Sequence, residues 1–314
     1  MQPVEQQTAE AEENRTEFVQ SLERGLAVLR AFAEQRSTLT LTDVANATGL
    51  KRAAARRFLL TLVELGYVRS RGREFSLRPR VLDFGNAYLS GLAVPELAEP
   101  HMNVLADTVQ ESCSLAVLDD DEIAYVAHVS PQRVMTVSVE IGARDPAYCT
   151  SLGRVLLAAL GEDALAAYLE RTRLRRHTSD TLTDRRKLVA ALQETRTKGY
   201  AIIAGELQNG LVAVGMPVHA PSGEVIAAMN VTGYEIRASE GVLVGEYLPH
   251  LRAAVAEVER ALARATALAP PGTAIVLPAD AGRALARRTS AAAPSDAPRR
   301  RQRAQRPTRG AGAR

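Results

Sequence analysis

Six basic side chains are the first residues whose types and spacing suggest chemistry. Lys51, Arg52, Arg56 and Arg57 crowd one short stretch, and Arg71 and Arg73 flank a glycine further on. Arg52 and Arg56 are four residues apart, so on a helix they share one side, with Ala53 and Arg57 next to them. The opposite side carries Ala55, Phe58, Leu59 and Leu62, an apolar stripe that is expected to pack. A helix with a cationic front and an apolar back suits the major groove of double-stranded DNA, where guanidinium groups meet phosphates and base edges. Between Arg36 and Arg80 ten basic residues are opposed only by Asp43, Glu64 and Glu74, a local excess of seven positive charges. Such an excess is the footprint of phosphate contact. The structural alternative is an ordinary helical bundle with solvated arginines.

The elements that must hold these side chains follow from pattern. Leu22, Leu26, Leu29 and Ala33 recur at three- and four-residue steps and predict a helix from Ser21. In LTLTDVANATGLKRAAARRFLLTLVELGYV, Thr42 is the expected N-cap of a short second helix, with Asp43 in its first turn, and Thr42 is counted among the DNA contacts. Ala45 supplies the small residue and Gly49 the sharp turn that a helix-turn-helix needs. The next helix is predicted over 52–65 and closed by Gly66. Residues 67–70 and 74–77 predict a hairpin turning at Gly72, a wing whose Arg71 and Arg73 touch the DNA backbone or minor groove. Val81, Leu82, Gly85, Tyr88, Leu89 and Leu92 predict a connecting helix stopped before Pro95.

A second chemistry is written around Thr150. The segment Tyr148-Cys149-Thr150-Ser151-Leu152-Gly153-Arg154 joins a strand to a helix. Hydroxyls and free backbone N–H groups at a helix start attract an anion, and a carboxylate would suit them; simple capping by Thr150 or Ser151 is the alternative. Asn230 and Thr232 point to one face of a strand, as pocket lining or as the solvent side of a sheet. Arg133 and Arg144 are expected at the surface. Cys149 before a helix suggests a thiolate, but none of His101, His128, His177, His219 and His250 is paired with it by sequence. No catalytic residue is expected. Neither a metal nor a cofactor is expected either: the cysteines and histidines lack ligand spacing, and there is no GxxxxGK[ST] or GxGxxG loop.

From about 96 to 265 the pattern alternates. Strands are predicted at 114–118, 123–129, 133–140, 212–219 and 224–232, and helices at 151–160, 162–171, 184–198 and 238–265. Antiparallel hairpins with helices outside them imply an α+β domain. The chain has 314 residues, enough for two domains, and no Trp, so its cores rest on Leu, Val, Ile and Ala. Two isolated cysteines fit a reducing cytoplasm. The start MQPVEQQTAEAEENR is too acidic for a signal peptide, and no apolar run approaches the ~20 residues of a membrane span, so no membrane partner is expected. The net charge of +3 conceals a tail, from Ala267, in which ten arginines face Asp280 and Asp296. Without that tail the chain is net acidic. The tail either adds non-specific DNA affinity or is a solvated extension.

SLERGLAVLRAF, LTDVANATGLKRAAARRFLLTLVELGYV, PRVLDFGNAYLS and IGARDPAYCTSLGRVLLA together resemble the IclR family of regulators over residues 19–265. Within it they are most similar to the subgroup that regulates the protocatechuate branch of the β-ketoadipate pathway. Lys51 and Cys149 depart from residues frequent there. The resemblance implies an N-terminal winged helix-turn-helix, mostly α with a β-hairpin wing, over 19–80. A linker helix (81–94) joins it to a GAF-like α+β effector-binding domain (95–266), between a disordered arm (1–18) and a disordered tail (267–314). It implies a cytoplasmic, nucleoid-associated homodimer or homotetramer on palindromic operators, responding to an aromatic or dicarboxylic acid. It also implies effector contacts at Thr150, Ser151, Leu152, Glu206, Met216, Asn230 and Thr232. Regulation of another carbon-catabolic pathway is the alternative. A structural DNA binder and an enzyme with a DNA-binding appendage are rival classes.

Overall fold

The computed structural model describes residues 18–34, 38–85, 93–133 and 136–268. The expected N-terminal arm, Arg36, the middle of the connecting helix and the Arg-rich tail beyond Leu268 lie outside them.

Among the described residues the N-terminal unit is three helices and a small sheet. Helix α1 (Gln20–Glu34) buries Val28, Ala31 and Phe32. Strand β1 (Thr38–Thr40) leads into α2 (Leu41–Thr48), and α3 is Arg52–Glu64. Strands β2 (Val68–Arg71) and β3 (Glu74–Leu77) form the hairpin. The expected hairpin is present, but with a third strand: β1 pairs with β3, giving the order β1-β3-β2. That pairing also corrects the helix start. Thr40, not Thr42, is the N-cap of α2, with its hydroxyl accepting from the Asp43 N–H and its own N–H donating to the Asp43 carboxylate. Thr42 is exposed within the helix. Sheet pairing as far as Thr40 places the helix start there, two residues before Thr42. Gly49 ends α2 at φ 67°, a left-handed conformation that a side chain would strain. Ala45, Ala55, Leu59 and Phe75 close one core with Val28 and Val44.

A 3-10 turn (Pro79–Val81) follows, and residues 82–85 are helical. Helix α4 (Ala93–Val109) does not stop before Pro95; it contains both Pro95 and Pro100. Pro95 stands in the first turn, where the missing N–H has no intrahelical acceptor to lose.

The C-terminal unit is one antiparallel sheet with helices on both faces. Its strands are β4 (Ser112–Asp119), β5 (Glu122–Val129), β6 (Arg144–Pro146), β7 (Ala201–Ala204), β8 (Leu211–His219) and β9 (Val225–Tyr234). They run in the order β6-β5-β4-β9-β8-β7. One face packs α4 against the closing helix α8 (Leu248–Leu268), with Met102, Leu105, Leu251 and Val255 in the core. The other face carries α5 (Ser151–Ala159), α6 (Glu162–Arg171) and α7 (Arg185–Lys198), with Leu152, Leu157, Tyr168 and Leu188 buried. The turn at Asp119-Asp120-Asp121 is as expected, with Asp120 at φ 56°.

Two strand expectations change. Residues 136–140 form no strand; β6 takes the place beside β5, pairing Ile123 with Asp145. Val137, Ser138, Val139 and Glu140 of that segment instead line a cavity. Strand β7, too short for a periodic signal, pairs along β8. The last helix is also interrupted: a capped turn at Glu240–Val242 and a π-turn at Leu243–Tyr247 precede α8.

Helix α5 packs closely on the turn before it and on the sheet through two glycines. A Cβ on Gly153 would stand 2.1 Å from the Ala147 carbonyl oxygen, and one on Gly215 of β8 3.0 Å from the Ser151 carbonyl oxygen. Both obstacles are backbone, which cannot swing aside. Gly153→Ala is therefore expected to destabilise the protein by roughly 1–3 kcal/mol. The loss should appear as a lower urea midpoint at unchanged slope; an unchanged midpoint would show that the 147–153 turn has room.

Candidate nucleic-acid interface and ligand cavity

Helix α3 buries Ala55, Leu59 and Leu62 and turns Lys51, Arg52, Ala53, Arg56 and Arg57 to solvent. Lys51 is its N-cap, without a side-chain capping bond. Arg71 and Arg73 are exposed on either side of Gly72, which has φ 65° at the hairpin turn. Among the described residues none of these six cations has a carboxylate partner. Other basic residues here are structural: Arg69 Nε donates to Ser76 Oγ at 2.9 Å, and Arg80 Nη1 donates to the Leu65 carbonyl at 3.1 Å while lying over the Tyr67 ring. The arrangement thus holds one basic helix face and one basic turn free for an anionic partner.

The second feature is a cavity of about 430 Å3 between the α5 start and the sheet. Thr150, Ser151, Glu206, Asn230 and Thr232 all line it. Leu152 and Met216 do not. Leu152 is fully buried among the side chains under α5, and Met216 borders a different cavity, near α7 and α8. A helical residue next to a lining residue points about 100° away from it, and a strand residue one position out of phase faces the other side.

Asn230 organises the polar wall. Its Oδ1 accepts from the Ser114 N–H at 3.2 Å, and its Nδ2 donates to Ser151 Oγ at 3.2 Å and Thr232 Oγ1 at 2.9 Å. Both hydroxyls accept from Asn230, and among the described residues neither has an acceptor for its own proton. Thr150 is the α5 N-cap, accepting from the Gly153 N–H at 3.0 Å, so it caps and lines at once. Arg154 is not singled out by the sequence alone. It is buried, donates Nε to the Tyr148 carbonyl at 3.0 Å and Nη2 to both Glu206 carboxylate oxygens at 2.8 and 2.9 Å. Glu206 also accepts from the Leu182 N–H at 3.1 Å. Its carboxylate is thus held by protein groups at the cavity edge. The available signal was a lone arginine in the apolar run SLGRVLLA.

The remaining polar lining includes two carboxylates, Glu140 and Asp145, beside the neutral Ser114, Ser138 and Gln208. Tyr125 Oη donates to Asp145 at 2.9 Å, and burial pushes the Asp145 carboxyl up despite that bond. Burial, with the Glu206 and Asp145 charges, pushes the Cys149 thiol up to about 12, so it is a thiol and not a thiolate at neutral pH. Arg144 pairs with Asp119 and Glu122 at the surface, and Arg133 donates to the Gln110 carbonyl. No three His, Cys, Asp or Glu side chains converge on a metal position among the described residues, and no helix there is long and apolar enough to cross a membrane.

A helix-turn-helix with a basic hairpin, followed by an α+β unit with a polar-lined cavity, defines a transcription regulator with a ligand-sensing domain. Residues 21–72 match the IclR helix-turn-helix domain, and residues 86–260 the bacterial transcriptional regulator IclR C-terminal domain. The chain belongs to the IclR family. It is similar to the Pca regulon regulatory protein of Pseudomonas putida, 41% identical over 76% of this chain and 82% of that one. A solved transcriptional regulator of Rhodococcus sp. RHA1 is 47% identical, with a TM-score of 0.71 over 79% of this chain and 100% of that one. An IclR homologue of Microbacterium hydrocarbonoxydans, solved with 4-hydroxybenzoate, is 25% identical, with a TM-score of 0.69 over 78% of this chain and 99% of that one.

The Arg154–Glu206 pair makes a stability prediction. Arg154→Met strands a carboxylate in a site where the two side chains are only 7% and 12% exposed. It is expected to destabilise by roughly 3–5 kcal/mol. Combining it with Glu206→Leu should recover a large part of that loss in a double-mutant cycle. Additive losses would show that the two side chains act independently.

Proposed function

We propose that this regulator binds palindromic operator DNA through α3 and the wing, and that a small aromatic acid in the cavity changes that binding. The observation that carries the ligand reading is the polar wall: Ser151 and Thr232 each accept from Asn230 and keep a hydroxyl proton for a ligand acceptor. The N-terminus of the nine-residue α5 adds its dipole there. Glu140 and Asp145, elsewhere on the lining, are acceptors for ring hydroxyls. An aromatic acid with phenolic groups presents both halves, its carboxylate to the hydroxyls and its hydroxyls to the carboxylates. Protocatechuate and 4-hydroxybenzoate have this chemistry. The relative that regulates the Pca regulon and the neighbour solved with 4-hydroxybenzoate support the same class.

The DNA reading rests on the six unpaired cations, with Lys51, Arg52, Ala53, Arg56 and Arg57 in the groove, Thr42 at its edge, and Arg71 and Arg73 on the backbone. A homodimer, or a dimer of dimers, supplies the matching half-sites. It is supported by apolar side chains left in solvent on and beside α1 and after the wing: Phe18 and Leu22 are each 62% exposed, Leu82 63% and Phe84 61%. The cavity is read as a sensor: its one thiol is held protonated, and the relatives are transcription regulators. We place the protein in the cytoplasm, on the nucleoid.

The test is a titration of DNA upstream of the protein's own gene at physiological salt, with excess competitor, with and without protocatechuate, 4-hydroxybenzoate and β-ketoadipate. One of the three is expected to change affinity or footprint. Specific binding that none of them alters would discard the aromatic-acid assignment. Arg56→Ala is expected to weaken operator binding by roughly 1–3 kcal/mol if the residue reads a base edge; unchanged affinity would remove α3 from the groove. Ser151→Ala with Thr232→Val should weaken the active ligand about tenfold or more, at roughly 1 kcal/mol for each hydrogen bond lost. Unaltered ligand affinity would place the carboxylate elsewhere.

A further inference from the structure

One imidazole behind the cavity wall connects two groups that line it. His128 on β5 pairs across the ladder with Ser114 on β4. Its Nδ1 is 2.9 Å from Ser114 Oγ, and its Nε2 is 2.9 Å from Ser130 Oγ. Ser130 Oγ lies 3.3 Å from the Val137 carbonyl oxygen and 3.2 Å from Ser112 Oγ, which itself donates to that carbonyl at 2.7 Å. Ser114 and Val137 both line the cavity; His128 does not. The chain of hydrogen bonds therefore leaves the cavity at the sheet and returns to it at Val137.

Such a chain has a direction. Burial lowers the His128 pKa below its ordinary value, so at neutral pH the ring is neutral and carries one proton. A neutral imidazole donates from one nitrogen and accepts at the other. In the first arrangement Ser114 donates to Nδ1, Nε2–H donates to Ser130, and Ser130 donates to the Val137 carbonyl. In the second, Nδ1–H donates to Ser114, Ser130 donates to Nε2, and the Val137 carbonyl keeps only Ser112. The first leaves Ser114 a lone pair for the cavity. The second leaves it a proton.

We infer that His128 is a positioning residue that couples a ligand acceptor at Ser114 to the Val137 wall by reversing its ring tautomer. The inference rests on the ligand reading of the cavity given above. The proton count balances: Ser114 Oγ–H passes its proton to Nδ1 and takes one from water in the open cavity, while Nε2 releases one to water on the exposed Ser130 side, so the ring carries one proton in both states. A carboxylate beside Ser114 selects the second arrangement and removes one of the two donors at Val137. A ligand presenting only donors there selects the first. The coupling thus converts the hydrogen-bonding character of the ligand into a looser or tighter hold on residues 136–140.

The test uses the full chain labelled with [15N]histidine. The His128 ring signals are assigned from their loss in His128→Phe, and 4-hydroxybenzoate is the probe, its binding measured independently by calorimetry. On saturation the protonated nitrogen of His128 should change from Nε2 to Nδ1, and amide exchange over 136–140 should quicken severalfold. Ser114→Ala should bind the probe roughly fivefold more weakly, by loss of one hydrogen bond, and should abolish the ligand-induced tautomer change, which a purely structural Ser114 would not do. Binding with an unchanged His128 tautomer overturns the coupling and leaves the ligand reading intact. If 4-hydroxybenzoate, protocatechuate and β-ketoadipate all fail to bind, both fall.

Discussion

The first turn of α5 can rest directly on the sheet only because two residues lack side chains. Gly215 lets the Ser151 backbone come down on β8, and Gly153 lets the Ala147–Cys149 turn fold under the helix. From that contact the rest of the C-terminal unit follows. Ser151 reaches Asn230, which stands opposite Gly215 in the β8–β9 ladder. Asn230 in turn fixes Thr232 and the Ser114 backbone. Further along the same helix, apolar side chains seal the core beneath α7. One close approach, set by steric exclusion, therefore positions both a hydrophobic layer and a polar wall.

Charge is handled oppositely in the two halves. In the C-terminal unit two arginines are engaged: Arg154 by Glu206 and the Tyr148 carbonyl, Arg237 by the buried Glu111 at 2.8 and 3.0 Å. A buried carboxylate left alone would be costly, and each of these has its cation. On α3 and the hairpin the cations are exposed, and among the described residues they have no carboxylate partner. Their mutual repulsion is a standing cost that a polyanion relieves. The same residue type thus staples one unit and leaves the other in need of a partner.

Local patterns were legible where local physics decides. The α3 boundaries, Gly49 as a left-handed cap, the hairpin around Gly72, the turn at Asp120 and the β8–β9 hairpin all follow from periodicity and turn chemistry over a few residues. What was missed depended on a partner distant in sequence. Thr40 caps α2 because β1 pairs with β3. Residues 137–140 alternate like a strand yet line a cavity, and β7 is four residues long and needs β8 to exist.

For the site the same division holds. The amino-acid sequence by itself determined which residues can face together: a basic helix side, a hydroxyl-rich helix start, and Asn230 with Thr232 on one strand face. Those follow from helical and strand periods, which are properties of the backbone alone. Only the tertiary structure decided that Asn230 spans from strand to helix, that Leu152 and Met216 turn away from the cavity, that Arg154 neutralises Glu206, and that His128 ties Ser114 to Val137. Each of those contacts joins residues on different elements, Arg154 and Glu206 being 52 positions apart and Asn230 and Ser151 79. Their geometry is set by how the layers pack, which no local period encodes.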